Sequence, residues 1–238
     1  LAPVMKKLSM FVLRAKARLE DASTRWTTQA LIGPGAAQLL SQTLGQAPAA
    51  GQSLLDGALR VTRLPDGGSA RERFVLRAPA GQAERLQSAV AGARPVDRGV
   101  FWWSQIDAAR PTVVAATQEA FVPQMINLEV LGGVNFKKGC YPGQEVVARS
   151  QYLGKLRRRM SIAHVDGTPE AATAGGDVFF DGQEQPSGKV VLAAAAPGGG
   201  MDLLLECPMD RIAEQTLLVG GQRLTLRPLP YELIDVTA

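Results

Sequence analysis

The sequence predicts an α+β chain whose last third is all-β. Three observations carry that prediction. Before residue 150, helix-period and strand-period segments alternate. Two of the strand-like runs, 59–64 and 73–77, flank a Gly-rich turn and read as a hairpin, which argues for a mixed or antiparallel sheet. From Lys155 onward, short apolar runs at 159–165, 177–180, 188–193, 202–206 and 223–227 are separated by Gly, Pro and Asp turns. That spacing suits a small β-barrel or sandwich. We therefore set a domain boundary near residue 155, between an α+β region, 1–154, and a β-barrel domain, 155–238.

The elements follow in order. Val4, Leu8 and Phe11 share one helical face. Phe11-Val12-Leu13 with the alternating Ala15, Ala17 and Leu19 suits a strand with Lys16 and Arg18 outward. Thr27–Ile32 is a strand. Gly33-Pro34-Gly35 breaks it and opens a helix, Ala36–Leu44. Leu59–Leu64 and Arg73–Arg77 are the hairpin strands around Asp66-Gly67-Gly68, and Gln82–Ala91 is a helix. Phe101–Ala109 is a helix or a strand end, stopped ahead of Pro111. Pro123–Leu131 is a loop or short helix, Gly132-Gly133 a turn, and Glu145–Ser150 a short helix.

Composition excludes several classes. The chain is 46% hydrophobic and 20% charged, as ordinary globular proteins are. Its net charge of +4 is compatible with an anionic ligand or RNA. Its two cysteines, Cys140 and Cys207, form no C-x-x-C pair, which argues against a disulfide framework and a Cys-rich zinc site, and for a reducing, cytoplasmic setting. No apolar run has the length of a membrane span, and the first twenty residues hold no signal-peptide core. There is no P-loop, no GxGxxG after a strand and no Ser-His-Asp arrangement.

The densest chemistry lies in Lys138-Gly139-Cys140-Tyr141-Pro142-Gly143-Gln144-Glu145. A thiol at a helix start feels the positive end of the helix dipole, and Lys137 and Lys138 add positive charge, so Cys140 is a candidate reactive thiolate. Tyr141, Gln144 and Glu145 are candidates to line a ligand. Glu145 also suits the dipole, and Arg149 suits either an anion or Glu145 four residues earlier. Phe101-Trp102-Trp103 supplies indoles of the kind on which flat heterocycles stack. Arg157-Arg158-Arg159 is a basic run that suits phosphate or a solvated strand edge. His164 reads as a barrel residue and Cys207 as structural.

The stretch 123–149, PQMINLEVLGGVNFKKGCYPGQEVVAR, resembles the signature of the YgfZ family, folate-binding relatives of the glycine-cleavage T-protein, an aminomethyltransferase. The family pattern is K-G-C-Y-x-G-Q-E followed by x-x-x-R. Lys138, Gly139, Cys140, Tyr141, Gly143, Gln144, Glu145 and Arg149 all match it. The resemblance implies T-protein-like α+β lobes around a central hole, a small C-terminal β-barrel, and tetrahydrofolate in the hole. It also implies that about a hundred residues precede this chain in relatives and that the chain is N-terminally truncated. Cys140 with Lys138, Tyr141, Gln144 and Glu145 would form the reactive group. Trp102 or Trp103, with Glu129 and Arg149, would hold the folate; Asn127 is a weaker candidate. The implied role is an accessory factor for assembly or repair of iron–sulfur clusters in client enzymes, including tRNA-modifying ones. A tetrahydrofolate-dependent one-carbon transferase and a tRNA- or protein-binding module using Arg157–Arg159 are the alternatives.

Overall fold

Glycine sets both ends of the first helix that buries a face. Gly35 and Gly45 stand at its caps with φ of 86° and 79°, a left-handed conformation that a Cβ would strain. The protein is described here from a computed structural model covering residues 1–13, 16–69, 72–139, 143–152, 157–212 and 216–233. Leu1–Pro65 with Glu72–Arg94 form one unit; Asp66–Arg71 with Pro95–Ala238 form another.

The first unit contains α1 (Ala2–Ser9), β1 (Trp26–Ile32), α2 (Ala36–Leu44), β2 (Ser53–Asp56), β3 (Leu59–Arg63), β4 (Arg73–Pro79) and α3 (Ala83–Ala89). The strands form an antiparallel sheet in the order β1-β4-β3-β2. Alternation along the strands sends Leu31, Leu59, Val61, Phe74, Leu76 and Ala78 to one face, where they pack with Leu40 of α2 and Leu86 of α3. The other face carries Trp26, Thr28, Leu55, Arg60 and Arg77, all exposed. The expected hairpin is the β3–β4 pair.

Two sequence expectations differ from the structure here. The run after α1 contains no strand in residues 11–13 and 16–22. Its large apolar residues Phe11, Leu13 and Leu19 are exposed, and with alanines between them they offer little surface to bury against a sheet. β2 was not anticipated: at four residues it is too short to show a period.

The second unit contains α4 (Gly99–Asp107), α5 (Gln144–Tyr152), β5 (Arg158–Val165), β6 (Asp177–Phe180), β7 (Gly188–Ala195), β8 (Met201–Pro208), α6 (Met209–Ile212), β9 (Leu217–Val219) and β10 (Gln222–Arg227). Six strands close into a barrel in the order β10-β5-β8-β7-β6-β9, with the three-residue β9 completing the ring. Ala163, Val165, Val178, Phe180, Val190, Leu203, Leu205 and Cys207 lie in one core cluster. A second cluster joins Met160, Ile162, Val191, Leu192, Ala194 and Leu204 to Trp103 and Ile106 of α4. The register shift between Val190 and Leu192 is what lets Val191 and Leu192, neighbours in sequence, both join the second cluster while Val190 joins the first. No helix among the described residues is long and apolar enough to cross a membrane.

Candidate functional site

The segment ahead of the signature is seated on β5 by buried polar groups. Pro123 starts a short 3-10 turn, Pro123–Ile126, and Asn127 ends it with φ of 58°, a left-handed position that Asn tolerates better than most residues. β10 pairs with β5 only from Ile162 to Val165. Beyond that limit the Asn127 side chain takes over the edge of the strand. Its Nδ2 donates to the Met160 carbonyl at 2.9 Å, and the Met160 N–H donates to its Oδ1 at 3.3 Å. Nδ2 also reaches the Tyr231 hydroxyl at 3.3 Å, and that hydroxyl donates to the Ala109 carbonyl at 3.0 Å. Burial pushes the Tyr231 phenol up from its ordinary pKa.

Arg159 of β5 completes the seat. Its guanidinium donates to the Gln124 carbonyl at 3.1 Å and pairs with the Glu129 carboxylate. Both side chains of that pair are only 4% exposed, so its charges are desolvated and depend on one another. Gln124 carries the arrangement onward: its Nε2 donates to the Val147 carbonyl of α5 at 2.7 Å. Two buried acceptors in this seat, Gln124 Oε1 and Glu129 Oε2, have no hydrogen-bond partner among the described residues. A buried acceptor with no donor is costly, which makes these the atoms on which an N–H-rich ligand or a water would gain most.

Helix α5, which begins with Gln144 and Glu145 of the signature, rides on this seat. Gly143, with φ of 82°, turns the chain immediately before the helix. Gln144 is half-buried and Glu145 exposed in the first turn, where a carboxylate complements the dipole; Val147 is buried and Arg149 exposed. Lys138 is exposed. Cys140 and Tyr141 lie outside the described residues, so the helix-start thiol expected from the sequence is not described; the helix itself begins at Gln144.

The two tryptophans of α4 take different places. Trp103 is 5% exposed, and its indole N–H donates to Asp202 Oδ2 at 2.8 Å. Trp102 is half-buried, edge-on to Phe101 with ring centroids 5.4 Å apart. Asp202 gathers further groups: Arg227 Nη1 at 2.6 Å, and His164 Nδ1 at 2.8 Å from its other oxygen. Arg227 Nη2 extends to Asp107 Oδ1 at 3.0 Å, and Asp107 Oδ2 accepts from the Ser69 hydroxyl at 2.6 Å. This network ties α4 to β5, β8 and β10, and the barrel placement of His164 agrees with its sequence reading.

Glu129, Trp102 and Trp103 thus lie in one unit, the tryptophans at the same apolar cluster as Leu128 next to Glu129. Gln124, Asn127, Arg159, Tyr231, Asp107, Asp202 and Arg227 hold that region together without having been singled out as a network. The available signal was polar residues inside apolar runs: Arg159 and Asp202 each stand second in a strand, are buried, and are followed by a buried apolar residue. The basic run at 157–159 is largely committed. Arg159 is taken by Glu129. Arg158 forms a two-pronged pair with Glu206, and its Nη2 also donates to the Ser187 carbonyl at 2.8 Å; only Arg157 is exposed. The Glu206 hydrogen bonds raise the Arg158 pKa further. Cys207, on the inward side of β8, has its thiol pushed up to about 12 by burial, an inert thiol as the sequence suggested. Among the described residues no cluster of His, Cys, Asp and Glu could hold a metal ion.

No family model matches the chain. Individual proteins do. It is 31% identical over 169 residues to the tRNA-modifying protein YgfZ of Enterobacter sp. strain 638, a match covering 68% of this chain and 51% of that protein. The tRNA-modifying protein YgfZ of Klebsiella pneumoniae strain 342 is 33% identical over 171 residues, covering 69% and 51%. That of Pectobacterium atrosepticum is 35% identical over 137 residues, covering 55% and 40%. The chain spans about half the length, or less, of the curated relatives it matches.

Proposed function

Since this chain belongs to the YgfZ family, we propose that it is a folate-binding accessory protein, acting in a process linked to tRNA modification. Its relatives carry the name tRNA-modifying protein, which motivates that link. The finer reading is support for iron–sulfur cluster assembly or repair in client enzymes, some of which modify tRNA. A complete KGCYxGQE signature in the sequence, running into a helix, α5, that is held by a buried polar turn, is the observation that carries the reading.

The residues present fit a pterin in two respects. Glu129 keeps one buried oxygen that has no donor among the described residues, and a pterin's amino and ring N–H groups are such donors. Trp102 retains accessible ring surface, whereas the Trp103 indole is committed to Asp202, so Trp102 is the stacking residue of this reading. Arg149, exposed on α5, would meet the glutamate carboxylates of the folate tail. Bound tetrahydrofolate would supply a one-carbon carrier. Cys140, flanked by Lys137 and Lys138, would supply the thiolate that meets a one-carbon unit, a cluster or a client, with Lys138, Tyr141, Gln144 and Glu145 shaping its surroundings.

Titration with tetrahydrofolate, followed by tryptophan fluorescence, tests this. Saturable quenching is expected, weakened about tenfold by Trp102→Leu and by Glu129→Gln, the loss of one good contact each. Absence of quenching, both in this chain and in one extended to the length of its relatives, would sink the folate reading. In a strain lacking the protein, Cys140→Ala should fail to restore the activity of cluster-dependent enzymes; full restoration would remove Cys140 from the proposal.

A further inference from the structure

The four-stranded sheet has one face packed on helices and one face open, and the open face has an unusual charge pattern. Register places Leu55, Arg60, Arg77 and Thr28 side by side in one row across the sheet. The next row is Ser53, Thr62, Val75 and Ala30, with the Ser53 and Thr62 hydroxyls 2.8 Å apart. Trp26, 43% exposed, lies diagonal to Arg77 at the β1 edge. The acidic residues in and next to these strands are engaged with the helices: Asp56 of β2 pairs with Arg85 of α3 at 2.6 Å, and Glu72, just ahead of β4, accepts the Ala37 N–H of α2 at 2.8 Å. The exposed strand positions of this face therefore hold Arg60 and Arg77 and no carboxylate. Arg73, on the same side of β4, is buried and donates to the Pro65 carbonyl, whereas Arg60 and Arg77 are exposed and form no ion pair among the described residues.

Two arginines directly opposite on neighbouring strands repel each other. An anion lying across both forks relieves that repulsion, and the guanidinium geometry suits phosphate. The exposed indole beside them adds a stacking platform, and hydroxyls of Thr28, Ser53 and Thr62 add neutral donors. A sheet face with an aromatic, arginines and hydroxyls is the surface chemistry that recognises unpaired bases on a phosphate backbone; a duplex offers no free base faces to stack.

We propose that this open face is a binding surface for unpaired RNA, centred on Arg60, Arg77 and Trp26. It moves the RNA contact away from Arg157–Arg159, whose members are mostly engaged with carboxylates. The proposal stands apart from folate binding: none of its residues takes part in the proposed folate site, so either can fail alone.

The test is fluorescence anisotropy of the full 238-residue chain with a labelled single-stranded oligoribonucleotide of about ten nucleotides, at several salt concentrations. Expected is salt-sensitive binding that Arg60→Gln with Arg77→Gln weakens at least tenfold, lowering the slope of log K against log salt by about 1.4, the value for two lost phosphate contacts on a single strand. Trp26→Ala should weaken binding at every salt concentration without changing that slope. Arg223→Gln, an exposed arginine of β10, should change neither. The double variant removes a repulsion, so its melting temperature should be equal or higher, which separates lost binding from lost fold. Binding unchanged in the double variant would overturn the proposal. So would displacement of RNA by poly-glutamate as effective as by unlabelled RNA with Trp26→Ala silent, since that pattern marks an acidic protein as the occupant.

Discussion

Arginines on the barrel and arginines on the open sheet live under opposite rules. Arg158, Arg159 and Arg227 each face carboxylates whose side chains are 3–5% exposed: Glu206, Glu129, Asp107 and Asp202. Arg60 and Arg77 face each other. On the barrel the positive charge is structural, and its removal leaves a buried negative charge stranded. On the sheet the positive charge is surplus, and its removal relieves strain. The lesson is that a net charge of +4 locates no binding surface until each cation has been matched with what lies opposite it.

Breaking the barrel rule gives the largest effect. Arg159→Met strands the Glu129 carboxylate and frees the Gln124 carbonyl, a loss of about 3–5 kcal/mol. In a protein of this size that lowers the melting temperature by about 10 °C. Adding Glu129→Gln to Arg159→Met should recover part of the loss, because a neutral amide is cheaper to bury than a lone charge. Thermal melts of the single and double variants check this. Equal melting temperatures for Arg159→Met and the wild type would mean the pair contributes nothing.

A smaller effect separates barrel burial from ion pairing, because it comes from a thiol and not from a charged pair. The Cys207 thiol stands at about 12 in the folded protein against 9.0 as a free group. Above pH 9 the unfolded chain gives up this proton first, so it binds fewer protons than the native state and stability falls as pH rises. Between pH 9 and 11 the loss is on the order of 2 kcal/mol. Tyr231, also raised by burial, acts in the same direction at higher pH. Urea melts of Cys207→Ala should therefore begin lower at neutral pH, from the cavity left behind, yet decline more gently in alkali. An alkaline decline identical to the wild type would rule out Cys207 as its source.

The sequence was most legible where punctuation was strong. Helix α2 was read to both of its ends because Gly33-Pro34-Gly35 and Gly45 leave the backbone few alternatives. Five barrel strands were visible as apolar runs between turns, whereas β9 was not, since three residues carry no period and its role is set by the partners β6 and β10. The signature was legible by its residue order; its support was not. Glu129 and Arg159 are 30 residues apart, Trp103 and Asp202 are 99 apart, and Asn127 and Tyr231 are 104 apart. Nothing local marks such pairs, because only the folded chain brings residues so far apart in sequence into contact. The basic run shows the consequence: Arg157, Arg158 and Arg159 look alike in sequence, and only their partners tell one exposed arginine from two engaged ones.

The smallest effect sharpens the other half of the comparison. Arg77→Gln keeps length and hydrogen-bonding capacity while removing one of two opposed charges, so in the absence of ligand it should raise stability, by at most about 1 kcal/mol. The gain should be largest at low ionic strength and shrink as salt screens the repulsion, since both guanidiniums are exposed. Arg77→Glu should gain more than Arg77→Gln, because it turns a repulsive cross-strand neighbour into an attractive one. Melting temperatures of the wild type and both variants at two salt concentrations give the answer. A loss of stability in Arg77→Gln that persists at high salt would mean that the arginine stem packs on Thr28 or Trp26 strongly enough to outweigh the repulsion. The sheet's arginines would then be structural like those of the barrel.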